Sequence, residues 1–422
     1  MSEPIEHLFR RESGRLVATV ARVFGLHNLA LAEDVVQEAF CRALELWAFR
    51  GVPRDPAAWL MATAKNCVID AVRRERTERR FAPQLTDMLQ SEWTLAPAIE
   101  DLFAPQQVKD DLLRMMFTCC HPRLPETAQV ALILNVLCGF SIDEVAGAFL
   151  SSREAIDKRI GRAKKLLAQS PTLFNISGPG ECSARLPAVH RALYLLFNEG
   201  YHGASAESAV HAALCREARR LVALLLEPPL RGTPETYALG ALMCLNAARL
   251  PARVDAHGNL VALVDQDRSR WDEALIAEGL KLLALSASGT TLSTYHIEAA
   301  IASLHATAPG TEHTDWRTIS SLYDALMAIA PSPVAALNRA IAIAQAHGPE
   351  RGLDEIRAIV DRDRLAAYPF YPAALGELEL QSGKYAAARE HFQVALALTR
   401  SPMERRFINQ RIRACGTASG CR

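Results

Sequence analysis

The sequence predicts an all-helical protein built from more than one domain, and three observations carry that expectation. Apolar residues recur at helical spacing along most of the chain, with almost no alternation of period two. Hydrophobic residues make up 50% of the total and aromatics only 6%, a balance suited to helices rich in alanine and leucine. At 422 residues the chain is longer than one compact core serves, so two or three domains are expected.

The first helices lie in residues 1–80. "RLVATVARVFGLHNLALAEDVVQEAFCRALELW" is strongly periodic; Ala32-Glu33-Asp34 precede a stripe of Val35, Val36, Ala39, Phe40, Ala43 and Leu44. A loop, "AFRGVPRDP", separates this from a further helix, "AAWLMATAKNCVIDAVRRERTERR". Residues 81–107 hold Pro83, Pro97, Pro105 and four acids without a base, the composition of a linker. Helices resume near Val108 and continue to about residue 170.

Within that block, "FSIDEVAGAFLSSREAIDKRIGRAKKLL" (Phe140–Leu167) is the most informative stretch. Ile142, Val145, Ala146 and Phe149 form the stripe of a short amphipathic helix, and Ser151 with Glu154 gives an S-x-x-E start signal for a second. The second helix is expected to bury Ile156, Ile160, Ala163 and Leu167. It would show water Arg153, Lys158, Arg159, Arg162, Lys164 and Lys165. Two such helices joined by a tight turn read as a helix-turn-helix, with the basic one meeting DNA.

Charge agrees with a local rather than a global nucleic-acid surface. The chain carries 47 basic and 47 acidic residues, and residues 1–170 carry 22 of each, which excludes a histone-like coat. The excess is confined to Lys65–Arg80, with six basic and three acidic residues, and to Arg153–Lys165, with six and two.

Other classes find little support. The opening "MSEPIEHLFRRE" lacks the apolar core of a signal peptide, and no apolar run reaches the length of a membrane span, so the expected compartment is the cytosol. Ten cysteines are scattered without a C-x-x-C pair. Cys119, Cys120 and His121 cluster, but adjacent residues on a helix point about 100° apart. That cluster reads as a helix end before Pro122, and neither a metal nor a cofactor is expected. No nucleophile, phosphate loop or acid–base pair suggests an enzyme.

After a second Pro/Gly/Ser break at 171–186, residues 187–422 are helical throughout. Leu375-Gly376, Ala388, Phe392 and Ala395 match the spacing of a tetratricopeptide (TPR) helix pair, and a weaker copy begins at Leu337-Asn338. Pro372 stands where the first aromatic is usual. Stacked helix pairs leave a groove for a peptide or protein partner. Tyr194, Asn198, Glu199, Tyr201, Asp267, Arg268, Arg270 and Trp271 are dense in polar and aromatic types; a binding surface and a buried set of helix ends both stay open for them.

The segment "AEDVVQEAFCRALELW", followed by "FRG" and by Pro56, Trp59, Leu60, Ala64, Asn66, Ile69, Asp70 and Arg73, resembles region 2 of the extracytoplasmic-function sigma factors. The helix-turn-helix resembles their region 4. Both the order and the separation of the two blocks match, and a TPR-like extension resembles a recognised subgroup. The resemblance implies region 2 at 1–80, a linker at 81–107, region 4 at 108–170, a second linker at 171–186 and the extension at 187–422. It also implies binding of core RNA polymerase, through the β′ clamp helices and the β flap, and of promoter DNA.

Site residues follow from the same resemblance. Asp34, Gln37 and Glu38 lie on one helical face by spacing and would meet polymerase. Phe49, Arg50 and Asn66 would border a pocket for an unstacked −10 base, which needs an apolar wall and an edge hydrogen bond. Arg73, Arg74 and Arg76 would touch phosphates. Arg153 and Glu154 would meet −35 base edges, with Lys158, Arg159 and Arg162 on bases or phosphates. Glu154 as a capping acid stays an alternative. The family often has glycine in the turn, where this chain has Leu150. The two readers would stand about 50 Å apart, and 27 linker residues stretch to about 90 Å. The competing reading is a helix-turn-helix activator with a C-terminal sensor; region 2 distinguishes the two.

Overall fold

The computed structural model describes residues 2–25, 28–75, 101, 103, 105–149, 151–169, 179–202, 208–227, 232–255, 259–399 and 402–419. Most of the 81–107 linker, together with Arg76 and Leu150, lies outside the described residues. Among those described, regular structure is helical, apart from one isolated antiparallel bridge between Val254 and Leu260. The chain divides into two compact units, Met1–Glu199 and Gly200–Arg422.

The first unit begins with α1 (Ser2–Phe24), α2 (Leu29–Arg50) and α3 (Pro56–Glu75). Leu16, Val20, Ala21 and Phe24 of α1 are fully buried, and Val35, Val36, Ala39 and Ala43 of α2 follow the expected stripe. Leu44 does not, being 52% exposed. Trp47, one turn beyond Ala43, takes the inward place and meets the edge of Trp59 with ring centroids 5.3 Å apart. The helix also continues into the stretch expected to be a loop, until Gly51 at φ 78° ends it with its N–H on the Trp47 carbonyl. Asp55 then accepts from the Ala58 N–H and starts α3.

Next come α4 (Pro105–Cys119), which starts three residues before the expected Val108, and α5 (Glu126–Leu132), which runs into a π-helical turn, Ile133–Leu137. They are followed by α6 (Ile142–Ala148) and α7 (Arg153–Ala168). Helix α1 packs on α4 and on the π turn as well as on α2, so the two blocks expected to meet DNA share one core. A Cβ on Gly14 would lie 2.0 Å from the Leu137 carbonyl oxygen, so only glycine permits this approach. The buried carboxylate of Asp111 on α4 accepts from Arg22 of α1 at 3.3 Å and from Arg114 at 2.7 Å.

Helix α8 (Pro179–His202) begins inside the segment expected to be a break and continues across Pro187. Pro187 is exposed, so its ring sits on the outer face of the helix. The second unit then runs through α9 (Ser208–Leu226), α10 (Pro234–Ala247), α11 (Glu273–Ser286), α12 (Thr294–Thr307), α13 (Trp316–Ile329), α14 (Pro333–His347), α15 (Pro349–Arg357), α16 (Phe370–Gln381), α17 (Tyr385–Leu398) and α18 (Pro402–Ser419). Most pack on their neighbours in the chain, as in helical-repeat proteins, while α12 also packs closely on α10. In the pair α16–α17 the TPR-like spacing has a direct cause. A Cβ on Gly376 would sit 3.0 Å from the Phe392 ring and 3.1 Å from the Ala388 carbonyl, so the small residue lets the helices close over the buried aromatic.

Candidate nucleic-acid interface

The first unit presents its basic helix, α7, as the sequence pattern requires. Ile156, Ile160, Ala163 and Leu167 are buried, while Arg153, Glu154, Lys158 and Arg162 are exposed and Arg159 is half-buried. The start differs by one residue from expectation. Ser152, not Ser151, is the N-cap, and its hydroxyl accepts from the Ala155 N–H at 3.2 Å. The Ser151 N–H is already spent on the Ala146 carbonyl at the exit of α6. Glu154 therefore sits in the first turn rather than closing a capping box, and its carboxylate is open to solvent. The reciprocal box lies instead at the entrance of α6. There Ser141 and Glu144 exchange bonds, with Ser141 N–H to Glu144 Oε2 at 2.8 Å and Glu144 N–H to Ser141 Oγ at 3.3 Å.

Two contacts of α7 were not legible in the spacing. Arg153 pairs with Asp143 of α6, and both side chains remain well exposed. Lys164, expected to face water, donates to both carboxylate oxygens of Glu33 on α2, at 2.6 and 2.7 Å. Arg159 lies over the Phe149 ring, 6.0 Å from its centroid. Alongside α7 runs a groove of about 600 Å³ lined by Ser152, Glu154, Lys158, Arg159, Arg162 and Arg123. Arg123 belongs to the turn before α5, where an isolated base between two prolines gave no periodic signal.

The region-2 candidates fall on two helices. Asp34 and Gln37 of α2 are exposed, whereas Glu38 is half-buried and bonded to Arg42 at 2.5 Å, which raises the arginine pKa. Phe49 ends the same helix 91% exposed, next to exposed Arg50. On α3, Asn66 and Arg73 are exposed at i and i+7, on one face. The side chain of Arg74 and the whole of Arg76 lie outside the described residues.

Cys119 and Cys120 are fully buried, and burial pushes the Cys119 thiol up to about 12 and that of Cys120 well above its ordinary value. His121 accepts the Arg123 N–H through Nδ1. The cluster closes a helix end, and among the described residues no three metal-ligating side chains converge.

Residues 8–78 match sigma-70 region 2, and residues 114–167 match sigma-70 region 4. Over 197 residues the chain is 24% identical to the probable ECF RNA polymerase sigma factor SigI of Mycobacterium tuberculosis, covering 47% of this chain and 62% of that one. The chain belongs to the extracytoplasmic-function sigma factors. As a sigma factor it directs transcription initiation, with core RNA polymerase and promoter DNA as its partners. A longer similarity, 40% over 402 residues, covers 95% of this sigma factor and 93% of the uncharacterized protein R00370 of Rhizobium meliloti. Residues 185–287 match a family of unknown function, DUF6596, within the C-terminal extension. No solved structure matches the chain. None of the helices is long and apolar enough to cross a membrane, among the residues described.

Proposed function

We propose that this sigma factor docks on the β′ clamp helices through Asp34, Gln37 and Glu38 and on the β flap through region 4. Phe49, Arg50 and Asn66 then hold an unstacked −10 base, while Arg73, Arg74 and Arg76 neutralise nearby phosphates. The −35 element lies against α7. Arg153 and Glu154 meet base edges there, and Lys158, Arg159 and Arg162 follow along the groove. The observation that carries this reading is the division of α7 into a dry face and a wet one. The exposed pair Arg153–Asp143 is cheap to exchange for a base contact, because surface ion pairs contribute about 0–1 kcal/mol.

The bond from Lys164 to Glu33 joins the −35 reader to the helix that would meet polymerase. In our reading this contact is released when the two regions spread along a promoter, with the 81–107 linker extended between them. The extension, residues 187–422, acts in cis on regions held at mM-like local concentration.

Run-off transcription with purified core polymerase and a promoter panel tests the assignment. Specific initiation is expected with the natural chain and should fall to background with Asn66→Ala plus Arg153→Ala. Full activity of that double variant would remove both readers from the residues named. Unchanged activity after deletion of residues 187–422 would remove the role given to the extension.

A further inference from the structure

The second unit gathers three guanidinium groups around two aromatic rings, and among the described residues one of them has no counter-charge. Arg249 follows α10, Arg253 closes the next 3-10 turn, and Arg268 belongs to the turn that precedes Trp271. The guanidinium carbons of Arg249 and Arg268 lie 5.5 and 5.1 Å from the centroid of the Trp271 ring. Arg253 lies over Tyr201 at 4.1 Å.

These arginines are not equally employed. Arg268 donates to the carbonyls of His305, at 2.7 Å, and Ala308, and to the Thr314 hydroxyl at 3.1 Å. Arg253 donates to the Tyr201 carbonyl at 2.6 Å. Among the described residues Arg249 has neither a hydrogen bond nor an ion pair, and its Nε is sealed from solvent. Two more enclosed polar atoms of the cluster lack partners, the indole Nε1 of Trp271 and Nδ1 of His305. Trp271 is 4% exposed and His305 7%.

Charge makes the imbalance sharper. Burial pushes His305 down to about 4, with Arg249 and Arg268 adding to the effect, so at neutral pH the imidazole is uncharged. Arg249 is itself pushed down, first by burial, while Tyr201 opposes and Arg253 and Arg268 assist. Glu312 faces Arg268 and Glu404 faces Arg253, but among the described residues no carboxylate acts on Arg249. An enclosed cation without a partner is strongly unfavourable, and enclosed donors are normally satisfied. Guanidinium donors are matched in geometry by carboxylate and phosphate groups.

We propose that Arg249, with Arg253 and the indole N–H of Trp271, binds the oxyanion group of a small ligand, a phosphate or a carboxylate. The extension of this sigma factor then carries a ligand site separate from both promoter readers. The proposal stands on the second unit alone and does not depend on the residue roles assigned to regions 2 and 4.

Thermal unfolding and titration calorimetry of the full chain test it, in sodium phosphate, acetate or chloride at equal ionic strength. A saturable rise in Tm with phosphate or acetate, absent with chloride, is expected, and the effective anion tells the two sources apart. Arg249→Met should weaken that binding at least tenfold while leaving the Tm in chloride equal or higher, because an uncompensated charge is gone. The proposal is overturned if the three salts act alike on the natural chain, or if Arg249→Met retains the anion response. It is also overturned if Arg249→Met lowers Tm equally in all three salts, which would leave Arg249 a stacking role on Trp271 only.

Discussion

Helix α7 and the cluster around Trp271 are both rich in arginine, yet they expose it in opposite ways. On α7 the charges at the start of the helix stand in water, and the pair Arg153–Asp143 is itself exposed. Around Trp271 the arginines are half-buried and stacked on rings, and Arg253 and Arg268 are held by backbone carbonyls. Open charge suits a polyanion such as DNA, whose attraction is long-ranged, sensitive to salt and tolerant of small shifts. Enclosed charge suits one discrete group of fixed geometry. The same residue type thus serves a surface in the first unit and a point in the second.

Acid separates the two most strongly. His305 has its folded pKa lowered from 6.5 to about 4, so below pH 6.5 the unfolded chain takes up a proton that the folded chain refuses. Its contribution is complete above pH 6.5 and is lost as pH falls toward 4, by about 3 kcal/mol in all. Denaturant unfolding at pH 7 and pH 4.5 should show this loss in the transition of the second unit, and His305→Gln should remove most of it. An equal acid loss in the variant would place the effect on carboxylates instead. A bound oxyanion beside Arg249 would raise the His305 pKa, so saturating phosphate should shrink the loss in the natural chain.

Salt provides the converse test. Lys158→Ala with Arg162→Ala removes two phosphate contacts in the reading given above, so the slope of log K against log salt should flatten by about 1.8. Between 50 and 200 mM salt that amounts to roughly a tenfold change, measured by fluorescence anisotropy on a −35 duplex. Arg249→Met should leave the slope unchanged. If both variants altered it alike, the distinction between an open and an enclosed arginine set would fail.

How much of each site the sequence disclosed follows from the same contrast. The α7 face lies within one helix, so its period of 3.6 separates Ile156, Ile160, Ala163 and Leu167 from the charges between them. The Gly376–Phe392 contact was legible for a similar reason, since both partners occupy fixed places in one helix pair. The arginine cluster draws on Tyr201, on 249–253, on 268–271 and on His305, and no local pattern links segments so far apart. Only the density of polar and aromatic types around Trp271 marked it. Lys164 was misread because periodicity reports which way a side chain points, not that Glu33, 131 positions earlier, waits there. Leu44 was misread because Trp47, larger and one turn on from Ala43, fills the inward place.

The smallest expected effect concerns the turn that aims α7. Ser151 and Ser152 are chemically identical neighbours, and the S-x-x-E spacing pointed to Ser151. In the structure the hydroxyl of Ser152 holds the Ala155 N–H, while the backbone N–H of Ser151 completes α6 and asks nothing of its own side chain. Ser152→Ala should therefore cost about 1 kcal/mol in the unfolding of the first unit, and Ser151→Ala close to nothing. The loss loosens the first turn of α7, which carries Arg153 and Glu154, so binding of a −35 duplex should weaken with it. Equal costs for the two serines would show that the cap is shared between them, and would leave the orientation of Arg153 resting on its pair with Asp143.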